Sequence, residues 1–84
     1  MKHYASSDFW ELYLALPAEI QELADKNYGL LKENPRHPSL QLKRIEELWS
    51  VRVGKHYRAI GIDAPDGIQW IWIGSHAEYD KFID

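Results

Sequence analysis

Leu48-Trp49-Ser50-Val51-Arg52-Val53-Gly54-Lys55-His56-Tyr57-Arg58-Ala59-Ile60-Gly61-Ile62 is the stretch on which the fold turns. It alternates, breaks at Gly54-Lys55-His56 and resumes, which predicts two β-strands joined by a three-residue turn. With that turn Val53 faces Tyr57, Arg52 faces Arg58 and Val51 faces Ala59. Side chains alternate along a strand, so Val51, Val53, Tyr57 and Ala59 share one face. Arg52 and Arg58 stand side by side on the other. Like charges set opposite each other across a hairpin repel. A polyanion visiting that face would account for the arrangement.

Outward from the hairpin the pattern changes on both sides. Upstream, Ser6-Ser7-Asp8 is an N-cap signal, and Phe9, Leu12, Tyr13 and Leu16 mark one helical face. Pro17 stops that helix and opens a second, predicted over about Ala18 to Glu33. Asn34-Pro35-Arg36-His37-Pro38-Ser39 ends it as a loop. Leu40 to Ile45 reads as a strand with Lys43 turned to solvent, and Lys2 to Ala5 as a short edge strand. Downstream, Asp66-Gly67 marks a turn into Ile68–Ile73, apolar on both sides as a doubly covered strand would be. Ser75 with Glu78 three residues on is a capping box opening a last helix. Residues 1–84 are therefore expected to form one domain of α+β class: an N-terminal helical hairpin packed on an antiparallel β-sheet meander, closed by a short C-terminal helix.

Composition excludes several classes. At 84 residues the chain can build one modest core, and its 45% apolar content with four Trp and five Tyr makes it globular rather than disordered. Without cysteine there is no disulfide framework and no thiolate metal site. His3, His37, His56 and His76 lack metal-ligand spacing, so neither metal nor other cofactor is expected. The leading Met-Lys-His-Tyr-Ala-Ser-Ser-Asp has no apolar segment of the signal-peptide kind, and no apolar run approaches a membrane span. A cytoplasmic location is expected. The net charge is −3, but from Arg36 to Arg58 six basic residues face two acids, giving +4 there and −7 elsewhere. One polarised face is the implication.

The last helix brings chemistry to that face. His76 lies in its first turn and Tyr79 three residues on, so both project to one side. Pairing of Ile68–Ile73 with Tyr57–Ile62 would carry the imidazole and phenol toward Arg58. Arginine suits a phosphate because its fork of donors matches phosphate oxygens and never loses its charge. Histidine suits proton transfer because it titrates near neutrality.

Trp49-Ser50-Val51-Arg52-Val53, then Tyr57-Arg58-Ala59-Ile60, then Ile73-Gly74-Ser75-His76-Ala77-Glu78-Tyr79-Asp80 resembles the signature of the RelE/ParE toxin superfamily. The upstream Pro38-Ser39-Leu40 with Lys43 and the leading helical hairpin agree with it. The resemblance covers nearly the whole chain. It implies the toxin of a bacterial type II toxin–antitoxin pair, of RelE/HigB-like type, neutralised by a cognate antitoxin protein. RelE-like members cleave mRNA in the ribosomal A site; ParE-like members poison DNA gyrase.

By that resemblance Arg58 matches the arginine that steadies the scissile phosphate, His76 the residue acting as general acid, and Tyr79 the aromatic that orients the nucleotide. These three are the expected catalytic residues. Lys43, Arg44, Arg52, Lys55 and His56 are the expected RNA-binding residues. Two features depart from the family's nucleases. Some relatives carry a glutamate as general base where this chain has Leu40, and the nucleases tend to be basic whereas this chain is acidic. The expectation is a metal-independent, ribosome-dependent endoribonuclease that inhibits translation. The alternatives are a non-catalytic gyrase inhibitor, or a degenerate toxin that only binds its antitoxin.

Overall fold

The hairpin turn sets the register of the two strands it joins. A computed structural model, which describes residues 2–83, pairs β3 (Leu48–Val53) with β4 (Tyr57–Ala64) so that Val53 meets Tyr57, Arg52 meets Arg58 and Val51 meets Ala59. Gly54 opens the turn at φ +68°, and a Cβ there would fall 2.4 Å from Leu23 Cδ2. The left-handed backbone is what calls for glycine, since the leucine methyl can shift. β4 then pairs antiparallel with β5 (Gly67–Ser75), and β2 (Lys43–Ile45) pairs antiparallel with β3. β1 (Lys2–Ala5) lies parallel to β5, giving the order β1-β5-β4-β3-β2. The four later strands are the expected meander, and the parallel fifth makes the sheet mixed. At Gly67 a Cβ would lie 1.8 Å from the Lys2 carbonyl oxygen, so β1 docks only because no side chain stands there.

Leu40 to Leu42 is not strand. Pro38–Leu40 forms a 3₁₀ turn that buries Leu40 completely, and Gln41 follows at φ +45°. The alternation of Leu40 and Leu42 serves a loop tucked under the sheet edge, and β2 starts only at Lys43. Its pairing with β3 stops at Ser50, which leaves the edge of β3 open from Val51 to Val53.

The two faces of the sheet differ in cover. Val51, Val53, Ala59, Ile68, Trp70 and Ile73 are buried with Leu31 of α2 (Ala18–Glu33) and with Leu40 in one apolar cluster. α1 (Ser7–Leu14) adds Phe9 and Tyr13 to its margin. The other face carries Ser50, Arg52, Arg58, Ile60 and Trp72 and is met by α3 (His76–Ile83). A β-bulge at Ile71 produces this division. Ile60 pairs with Trp72 and Gly61 with Trp70, so the two tryptophans lie on opposite faces although they are two residues apart.

Local signals place the helices. The Ser6 hydroxyl accepts from the Phe9 N–H at 3.2 Å. Pro17 stands just outside α2 as its N-cap rather than inside it. The Gln21 amide reaches back to the carbonyls of Tyr13, Leu14 and Leu16 at 3.1–3.3 Å, at the end of α1 and in the turn after it. The Tyr13 hydroxyl donates to Asp25 at 2.8 Å and ties the two helices together. No helix among the described residues is long and apolar enough to cross a membrane.

His3 joins β1 to this layer. Its Nδ1 accepts from the Trp70 indole N–H at 3.2 Å, and its ring meets Tyr28 edge-on at 5.8 Å. Burial, reinforced by Lys32, holds its pKa below the usual histidine value. Folding thus favours the neutral ring, and its contribution is complete above the unfolded-state value of 6.5 and falls away as acid protonates it. Thermal unfolding at pH 7.5 and 5.5 should show a loss of stability on acidification that His3→Gln reduces. An unchanged pH dependence in that variant would dismiss His3 as the source.

Candidate functional site

Arg58 sits in the middle of the sheet, and its side chain is only 8% exposed. Gly74 lies opposite it on β5, where a Cβ would fall 2.6 Å from the Trp72 ring, and Tyr79 of α3 covers the guanidinium. The guanidinium carbon lies 5.1 Å from the centre of the Tyr79 ring. One terminal nitrogen donates to the Ser50 hydroxyl at 3.4 Å and the other to Gln41 Oε1 at 3.2 Å. Nε is buried and finds no partner among the described residues. None of these contacts carries negative charge.

That combination is costly. Taking an ion out of water costs several kcal/mol even after relaxation, roughly, and a guanidinium cannot escape by losing its proton. A desolvated cation–π contact returns about 2 kcal/mol, and the two hydrogen bonds to neutral acceptors add a little. The charge remains uncompensated. An oxyanion able to take several N–H donors at once is the chemical group that fits.

α3 is held over this charge from its first residue. The His76 N–H donates to the His56 carbonyl at 2.7 Å, carrying the β4–β5 ladder one step further. Ser75 and Glu78 form the capping box, with Glu78 N–H to Ser75 Oγ at 3.2 Å and Ser75 N–H to Glu78 Oε1 at 3.4 Å. Trp72 packs on Phe82 with ring centres 5.7 Å apart. The anchored helix presents His76, half-exposed, with its ring centre 5.8 Å from that of Tyr79. Tyr79 is buried and touches both His76 and Arg58, so the three form one contiguous group.

The remaining basic residues divide. Lys43 is exposed beside Ser50 and lies on the Arg58 face by register. Arg52 stands next to Arg58, with Nε donating to the Gly54 carbonyl at 3.0 Å. Lys55 and His56 are exposed in the turn. Arg44 belongs elsewhere. By register it lies on the opposite face, where it stacks on Trp49 and grips both oxygens of Asp63. The Trp49 indole N–H, and then Arg44, hold the Asp63 carboxyl below the usual aspartate range. This is a clasp across three strands. Among the described residues no group of three or more His, Asp or Glu side chains could hold a metal ion.

With this geometry in view, residues 18–81 match the model of the ParE-like toxin domain. The chain belongs to the ParE-like toxin family. Solved structures agree on the fold of this toxin domain. It is similar to a chain of the RelB–RelE antitoxin–toxin complex from Methanococcus jannaschii at 15% identity and a TM-score of 0.72, covering 96% of this chain and 99% of that one. YafQ from E. coli shares 12% identity with a TM-score of 0.73, covering 93% and 96% of the two chains. The isolated E. coli RelE toxin shares 15% with a TM-score of 0.63, covering 98% and 97%. At such identities the likeness is one of fold. No curated protein sequence matches the chain.

Three polar residues of the candidate site escaped the sequence analysis. Ser50 lies two positions from Arg52 on the same strand, so the predicted register already placed it on the Arg58 face. Asp80 lies one turn beyond His76, and its Oδ2 is 3.3 Å from the imidazole Nδ1. That i,i+4 spacing was legible. Gln41 was not. Its contact depends on a left-handed backbone in a loop that resembles a strand.

Proposed function

We propose that this chain is the toxin of a toxin–antitoxin pair and acts as a metal-independent endoribonuclease on mRNA at the ribosome, in the cytoplasm, as a single domain over residues 1–84. The observation that carries the reading is the buried Arg58 guanidinium with no carboxylate against it. A protein antitoxin is its partner, in keeping with the antitoxin–toxin complexes among the similar folds.

In metal-independent RNA cleavage the substrate's own 2′-hydroxyl gives up its proton, here to water, as its oxygen attacks the adjacent phosphorus, and the 5′-oxygen leaves. Arg58 would supply donors to the non-bridging oxygens as charge builds on the phosphorane. The His76 imidazole would hand a proton to the leaving oxygen, with Nδ1 toward Asp80 and Nε2 free for the transfer. Tyr79 would hold both in place, and Lys43 and Arg52 would meet flanking phosphates. Leu40 is fully buried in the apolar cluster, so no general base stands at that position.

The same buried Leu40 favours a second reading, a non-catalytic toxin that inhibits gyrase or retains only antitoxin binding. Inducing the chain alone and sequencing mRNA 5′ ends separates the two. New 5′ ends clustered within translated codons, absent in His76→Ala, are expected. Growth arrest with intact mRNA and gyrase trapped on DNA would replace the nuclease by the second reading.

A further inference from the structure

The open edge of β3 borders a second basic feature, on the helix side of Arg52. There, α2, the loop after it and the β3–β4 turn enclose a cleft of about 550 Å³. Lys26, His37, Arg52 and Lys55 line it, and neither Asp nor Glu does. In a chain with 13 acidic and 10 basic residues, such a one-signed lining stands out. Lys26, Arg52 and Lys55 form no ion pair among the described residues.

The cleft is built rather than incidental. The Asn27 amide donates to the Arg52 carbonyl at 3.2 Å and fastens α2 to the open strand edge. Arg52 Nε is committed to the Gly54 carbonyl, and its two terminal nitrogens have no partner among the described residues. His37 Nδ1 accepts from the Ser39 N–H at 3.2 Å, which leaves Nε2 to carry the ring proton. Arg52 is also the cross-strand neighbour of Arg58. The two positive regions therefore adjoin, one on each side of the same residue.

We propose that this cleft is a second phosphate-binding site, which takes the backbone of a single-stranded nucleic acid as it passes from Arg58 around the open edge of β3. It rests on the reading that Arg58 receives a phosphate, and extends it to residues on α2. Lys26 and Lys55 meet phosphates as point charges, and Arg52 bridges the two sites with its free fork. Neither lysine is buried, so replacing both leaves the fold intact.

The test is fluorescence anisotropy of purified protein with a short 2′-O-methyl single-stranded RNA, which cannot be cleaved, across a range of salt concentrations. Each phosphate contact on a single strand contributes about 0.7 to the slope of log K against log salt, so Lys26→Ala with Lys55→Ala should lower it by about 1.4. Affinity should weaken alike for every sequence tried. An unchanged slope in that double variant, with Arg58→Ala still weakening binding, would overturn the cleft and leave the Arg58 site standing. A lowered slope with Arg58→Ala without effect would keep the cleft and reject the Arg58 site. Wild-type protein that ignores the RNA but binds a labelled poly-glutamate peptide would overturn both.

Discussion

Replacing Arg58 by methionine is expected to abolish growth arrest on induction while leaving the purified protein as stable as before, or more so. The two halves have separate causes. Loss of preorganised donors to a developing oxyanion costs catalysis about 10²- to 10³-fold, and Arg58 is the most enclosed cation in the site. Stability behaves differently because the guanidinium is buried without an opposite charge. Exchanging buried ionic groups for packed apolar ones is often neutral or stabilising by about 1–4 kcal/mol. Methionine suits the exchange, being unbranched and able to lie under Tyr79. Arg58→Lys should fall between, keeping the charge but losing the fork. The readouts are growth after induction, mRNA cleavage and thermal unfolding. Undiminished toxicity in Arg58→Met would remove Arg58 from the mechanism; a collapsed fold would show that the charge is structural.

The largest stability loss is expected at Trp70. This side chain is 5% exposed, lies in the main apolar cluster and donates to His3, so Trp70→Ala should cost about 3–5 kcal/mol. A domain of this size holds roughly 4–13 kcal/mol in all. The melting temperature should drop by about 12–40 °C, at roughly 4–8 °C per kcal/mol. Trp72→Ala should cost only about 1 kcal/mol, since Trp72 is half-buried on the other face and packs on Phe82. Equal losses in the two variants would contradict the bulge that separates them.

That contrast shows where the sequence was legible and where it was not. The three-residue turn determined every pair from Val53–Tyr57 to Leu48–Ile62, because its length leaves one register. Ser75 and Glu78 announced the start of α3 through the chemistry of their side chains alone. Trp70 and Trp72 gave no such notice, since a bulge is settled by packing on both faces at once. β1 was visible as a short strand, but its parallel partner depends on Gly67 having room for another backbone. In the site, the register set Arg58 beside Arg52. Its burial under Tyr79 required knowing that α3 folds over Gly74, a contact made in three dimensions only. Likewise Arg44 looked like one more cation of the basic segment, and Asp63, distant in sequence, claims it.

The bulge at Ile71 also bears on how this chain can change length. In a regular strand, losing one residue turns every later side chain to the opposite face. Along β5 that would send Gly74 and the start of α3 away from Arg58. Ile71 is the exception, being the residue that β4 does not pair. Its loss would leave Trp70 opposite Gly61 and Trp72 opposite Ile60, with both faces keeping their present members. Within Trp70–Ser75, position 71 is thus where a codon can be dropped without moving the helix that covers the arginine.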